Sequence, residues 1–142
     1  MTTPYDPFRE LDEHLPDVFL CTLRLPHGRA WWLAPDSTIV LDDRLDTVGR
    51  RCALAHEIEH VRAGDVPVVH VHFRARQESR ATHRAAKKLI RIEDLVDALR
   101  VTRVDVHLAE LLEVDLDVLR HRLHSITANE QDHVERALEG SA

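Results

Sequence analysis

Residues 54–65 read LAHEIEHVRAGD, with His56 and His60 four apart and Glu57 directly after the first. On an α-helix that spacing stacks two imidazoles on one face, one turn apart. Two nitrogens so placed can share one metal ion, and zinc accepts nitrogen ligands at about 2.0–2.1 Å in a tetrahedral site. Glu57 stands one step round the helix, displaced from the natural position of a third ligand. A carboxylate there can hold a metal-bound water and take its proton, because zinc lowers the pKa of such a water towards about 7. Leu54, Ile58 and Val61 give the helix a second, apolar face for a core. Two histidines and a glutamate on one short helix are costly to bury without a metal or a partner.

A catalytic zinc needs a third protein ligand and an open fourth position. Downstream, His70, His72, Glu78 and His83 carry suitable atoms. Glu78 and His83 are five apart, so on one helix they project from different sides and only one faces the metal. His70 and His72 share a face if their segment is a strand. His70, His72, His83 and His107 are also open as contacts to substrate or to a developing oxyanion. The remaining histidines have no metal spacing; His121 and His124 neighbour arginines and are expected to face solvent.

The elements that must position these groups can be read from turn and capping residues. Three β-rich runs, residues 17–25, 29–35 and 36–43, are separated by turn residues and predict a small antiparallel sheet. Trp31 and Trp32 are adjacent, so in a strand they point to opposite faces. Asp46 offers a helix N-cap and Gly64 a stop. Residues 64–73 read as a short strand or an extended loop. From about residue 75 the chain reads as helix, with Ala81, Ala85, Leu89 and Ile92 at helical spacing. Residues 105–126 predict two short helices broken near 114–115, and TANE at 127–130 fits a capping box opening a last helix. The fold class expected is α+β: a small N-terminal antiparallel sheet of about three strands packed on the HEIEH helix, then a helical C-terminal half. One domain over 1–142 is expected, with sheet and active helix within 17–73 and the helical part within 75–142.

The chain has 142 residues, 44% of them apolar and 31% charged, with a net charge of −6. That charge supplies no global basic field for nucleic acid. No run of 18 apolar residues predicts a membrane span, and the acidic N-terminus lacks the apolar stretch of a signal peptide. Cys21 and Cys52 make no disulfide framework. They read as reduced thiols, and a cytoplasmic location is expected.

Taken together, STIVLDDRL, RRCALAHEIEH, ESRATHRAAKKLI and LAELLEVDLDVLRHRL, in this order, resemble the ImmA/IrrE family of small zinc metalloproteases over roughly residues 37–123. The resemblance implies one zinc ion per chain, His56, His60 and Glu78 as its ligands, and Glu57 as general base. It also implies peptide-bond hydrolysis, with a helix-turn-helix repressor of stress or mobile-element genes as the substrate. Two positions near the site depart from the family: Glu59 stands where Gly is usual, and Thr82 where Asn or Asp is common. An aromatic often found in the next helix and the usual Pro after its aliphatic pair are also absent, with Arg84, Ala85 and IRIED in their places.

Two other readings compete. Residues 105–124 also scan as a helix-turn-helix carrying Arg120 and Arg122. Glu110, Glu113, Asp115 and Asp117 in the same pair would repel phosphates, so direct nucleic-acid binding is not expected. A zinc-binding regulatory or interaction module with little protease activity is the remaining alternative.

Overall fold

A computed structural model describes residues 3–140. It opens with a helix that the sequence reading did not anticipate, α1 (Pro7–His14). Its start is well specified: Asp6 accepts a hydrogen bond from the Phe8 N–H at 2.9 Å, and Pro7 takes the first helical position. The three expected strands follow as β1 (Phe19–Leu23), β2 (Ala30–Leu33) and β3 (Thr38–Asp42). A single 3-10 turn, Ala34–Asp36, joins the last two.

The α+β class is as expected, but the sheet is mixed rather than antiparallel. Strand order is β1-β3-β2, with β2 antiparallel and β1 parallel to β3. Chain direction does reverse at each connection; β3 simply inserts between its two predecessors. It is the strand that needs the middle, since Ile39, Val40 and Leu41 are at most 3% exposed. A central strand is covered on both edges and both faces, which suits a continuous apolar run.

Helix α2 (Thr47–Ala63) begins at Asp46, whose carboxylate accepts from the Gly49 N–H at 2.7 Å. It ends at Gly64, in the left-handed region at φ 67°. Helix α3 (Val71–Leu89) starts four residues earlier than the sequence suggested, so residues 64–70 are loop and no strand forms there. Four shorter helices complete the fold: α4 (Ile92–Leu99), α5 (Asp105–Leu112), α6 (Leu116–His124) and α7 (Ala128–Glu139). The break between α5 and α6 falls where expected, with Glu113 at φ 54°. The capping box of Thr127 and Glu130 opens α7.

Helix α2 divides the core. Ala53, Leu54 and Ile58 pack with Leu11, Ile39 and Leu41 between α1 and the sheet. Cys52 and Ala55 pack with Ala85, Leu89, Leu95 and Leu119 among the C-terminal helices. The small residues on facing sides of α2 and α3 let the two backbones approach closely, which sets the distance across which site residues must reach.

Candidate metal centre

His56 and His60 lie on the α2 face that meets α3, and Glu78 comes from the second turn of α3. Glu78 Oε2 is 3.0 Å from His56 Nε2, and its Oε1 is 2.9 Å from His60 Nε2. The two Nε2 atoms are 3.2 Å apart. Two imidazole nitrogens and the two oxygens of one carboxylate thus converge, each nitrogen facing its own Glu78 oxygen. Ligands about 2.0–2.1 Å from a tetrahedral ion are separated by about 3.3 Å, close to these contacts.

With His60 in the neutral form that a metal requires, hydrogen bonding alone does not account for this cluster. Asp65 Oδ2 lies 2.9 Å from His60 Nδ1, which places the proton of a neutral ring on Nδ1. The Nε2 lone pair then faces a carboxylate oxygen at 2.9 Å, an acceptor against an acceptor. A cation between them removes the conflict. Divalent-metal sites commonly orient a ligand histidine through such a carboxylate. The donor set therefore fits a metal ion.

Asp65 is itself held firmly. Gly64 turns the chain back so that the Asp65 N–H donates to His60 O at 3.0 Å, closing the helix. Arg80 donates to Asp65 Oδ1 at 3.0 Å, and the Trp32 indole N–H donates to its carbonyl at 3.2 Å. The sequence reading missed both Asp65 and Arg80. The signal was the left-handed turn at Gly64, which brings the fifth residue after His60 back beside it.

Glu57 is buried at 8% exposure. Its carboxylate shares a cluster with His56 and His60 in which donor atoms lie within 4.8 Å of one another. Burial pushes it up to about 7; the charge of His60 opposes this and that of Glu78 adds to it. Burial also lowers the basicity of His56, which favours the neutral form that a metal needs. Glu78 remains 58% exposed, so the centre opens to solvent. A cavity of about 350 Å³ reaches it from the helical side, past Cys52, Thr82 and Val118. A second, of about 310 Å³, reaches it from the β2 side, past Trp32 and Val66.

The other sequence candidates are not part of this cluster. His70 is the residue before α3 and His72 lies in its first turn; the two rings are 5.4 Å apart, both exposed. They are on helix-entry backbone, so the strand-like sharing of a face does not arise. His107 is exposed on α5. His83 is exposed on the side of α3 facing α6 and stacks edge-on against His121 at 5.9 Å. His121 corrects an expectation: it does not face solvent but lines the helical-side cavity, and its Nε2 is buried without a hydrogen-bond partner. Packing of α6 on α3, rather than any local pattern, turns it inward.

The two departures near the site also find places. Thr82 lines the cavity near the centre. Glu59 points away from the metal cluster and is buried at 3% exposure. Lys88 Nζ lies 2.5 Å from its Oε1, a contact between charges rather than an aligned hydrogen bond, since that oxygen has no hydrogen-bond partner. The same ammonium donates to both oxygens of Glu10, at 3.2 and 3.1 Å. Glu10 also accepts from the Tyr5 hydroxyl at 2.6 Å and from Arg62 at 2.8 Å.

A small sheet on a helix bearing two stacked histidines, with a carboxylate delivered from the next helix, defines a metallopeptidase-like domain. Residues 22–124 match the profile of the IrrE N-terminal-like domain, peptidase family M78, and the chain belongs to that family. No curated protein and no solved structure matches the chain.

Proposed function

We propose that this protein is a zinc-dependent endopeptidase whose metal is held by His56, His60 and Glu78. The observation carrying this reading is the convergence of both Nε2 atoms and the Glu78 carboxylate at 2.9–3.2 Å, with a buried carboxyl poised near neutrality beside it. Bound zinc supplies Lewis acidity and an activated water at neutral pH. The Glu57 carboxylate accepts a proton at its free oxygen and returns one to the leaving amine, work for which a pKa close to the operating pH is best. Asp65 keeps the His60 ring oriented through Nδ1, and Arg80 keeps Asp65 oriented.

Substrate access supports peptide cleavage over a structural metal. Structural zinc sites are closed by four protein ligands, whereas here an exposed Glu78 and two cavities leave a side open. Strand β2 has an unpaired edge beside the second cavity, where an extended peptide can add as a further strand. The DNA-binding alternative loses one of its two arginines. Arg122 is 1% exposed and engaged with Ile90 O and both oxygens of Glu130. The substrate we assign is a helix-turn-helix repressor, on the family resemblance, with release of stress or mobile-element genes as the outcome.

The test offers zinc-loaded protein a purified helix-turn-helix repressor, the first choice being any encoded beside this gene. Wild type cuts it, and Glu57→Gln, still binding zinc, is slower by about 10²–10⁴-fold, as expected when a general base is lost. Wild-type protein that binds no zinc, or that leaves the repressor intact while fully loaded, refutes the reading.

A further inference from the structure

The two cavities at the candidate metal centre share part of their walls. Glu57 and Glu78 line both, His56 only the helical-side one and His60 only the β2-side one. The His-Glu cluster therefore sits between them, and a peptide whose carbonyl reaches the metal sends residues towards both. The β2-side cavity is bounded by strand β2 and residues 65–68, with Arg74 and Gln77 beside them. A strand edge suits extended backbone. The helical-side cavity is enclosed differently, by three helices. Cys52 and Ala53 come from α2, Ala85, Ala86 and Leu89 from α3, and Val118 from α6.

Size, lining and charge select what enters it. The volume of about 350 Å³ is at the small end of ligand pockets, which run from about 300 to 1,000 Å³. It has room for one large side chain with its stretch of backbone. Three of the six apolar residues are alanines, so the space is left by side chains that stop at Cβ. The charged neighbours are already answered or stand at the rim. Arg29 donates to Asp115 at 2.7 Å and to Gly49 O at 3.3 Å. Asp117 is exposed. Burial, with His83 and His124 nearby, lowers the basicity of His121, which is therefore uncharged at neutral pH. A substrate lysine would meet the charge of a bound metal, and an aspartate the Glu57 carboxyl. A buried charge without a partner is costly, whereas an apolar side chain gains by leaving water.

We infer that the helical-side cavity is the specificity pocket of this protein. It takes one large apolar side chain, that of leucine, methionine or phenylalanine, from the residue beside the bond to be cleaved. Thr82 and Val118 set its size: both line it, both are half-buried, and they face it from α3 and α6. This inference rests on the peptidase reading and narrows the substrate that the reading allows.

The probes are the hydroxamates of leucine, phenylalanine, glycine, lysine and aspartate, whose hydroxamate group anchors on zinc. Titration calorimetry on the full, zinc-loaded chain reads their affinity without turnover. The leucine and phenylalanine compounds should bind at least about tenfold tighter than the other three, the scale of burying one large apolar side chain. Thr82→Phe, which fills the cavity, should bring leucine down to the level of glycine while zinc affinity is kept. Val118→Ala enlarges the cavity from the opposite wall and should move the preference towards phenylalanine by at least about threefold. It keeps the test alive if Thr82→Phe fails to fold. In metal-free protein, N-acetyl-leucinamide should shift the backbone amides of Ala53, Thr82 and Val118, and N-acetyl-glycinamide should not. Zinc-loaded protein whose hydroxamate affinity ignores the side chain, or prefers lysine or aspartate, overturns the pocket and leaves the peptidase reading standing. Leucinamide shifts confined to the β2 side overturn it as well. A chain that holds no zinc overturns both readings.

Discussion

Helices α2 and α3 are bridged by polar groups at two places. Near the start of α3, Glu78 meets His56 and His60, with Glu57 and Asp65 close by. Near its end, Lys88 meets Glu59 and Glu10, and Arg62 joins from α2. The second bridge balances two carboxylates against two cations, and the Tyr5 hydroxyl fills a remaining acceptor site. The first gathers Glu57, Glu78 and Asp65 around two rings whose nitrogens must be neutral to bind metal, with Arg80 paired to Asp65 and the charge of Arg29 acting on His56. Buried charge is tolerated when paired and hydrogen-bonded. One bridge is therefore complete as a structural clamp, and the other has room in its charge balance for a cation. The same pair of helices yields a fastening and a candidate metal centre, and the difference lies in local charge balance.

The largest expected effect breaks the clamp. Lys88→Met strands Glu59 in the interior, leaves Glu10 to Arg62 and Tyr5, and should cost about 3–5 kcal/mol in urea unfolding. Zinc affinity measured on the still-folded fraction should hardly change. Equal losses in both would mean that the two bridges are one unit. At the metal end, Asp65→Ala should reduce zinc affinity about 10–100-fold in chelator competition, by releasing the His60 ring. An unchanged affinity would remove Asp65 from the account.

Stability against pH separates the bridges by sign. Burial raises Glu10, but its bonds from Tyr5, Arg62 and Lys88 outweigh this and hold it below 4.5. It therefore stabilises the fold at neutral pH, and that contribution is lost as pH falls through its depressed value. Glu57 is raised from 4.5 to about 7. In metal-free protein the folded state keeps a proton across that window which the unfolded chain has lost, so stability falls as pH rises from 4.5 to about 7. Metal-free Glu57→Gln should outlast wild type above pH 7 by on the order of 1–2 kcal/mol and converge with it below the ordinary carboxyl range. A constant difference at all pH values would show that Glu57 does not titrate in this way. The smallest effect is a control for burial: Arg9 and Glu13 pair at 3.1 Å but are 63% and 54% exposed. Arg9→Ala should shift stability by less than about 0.5 kcal/mol.

Much of helix α2 was legible because its signals are local. The His56–His60 spacing, the Asp46 cap and the Gly64 stop are all set within a few residues. Glu78 followed from family resemblance, since its partner helix had several candidates. Strand order was not legible: alternation tells which residues share a face, not which strand takes the centre. Asp65 and His121 were hidden for related reasons. One depends on a left-handed turn folding the chain back on itself, the other on how α6 lies against α3. Helix α1 has a local start signal in Asp6-Pro7 but only eight residues, too short for a clear apolar period.

The two bridges also differ in how far apart their partners lie along the chain. His56 and Glu78 are 22 residues apart, whereas Lys88 and Glu10 are 78 apart. Each doubling of a closed loop costs about 0.6 kcal/mol more in chain entropy. The candidate ligands can therefore meet in a hairpin of two helices at a lower entropic cost than docking the N-terminal helix. The site asks less of the chain's long-range order than the clamp does.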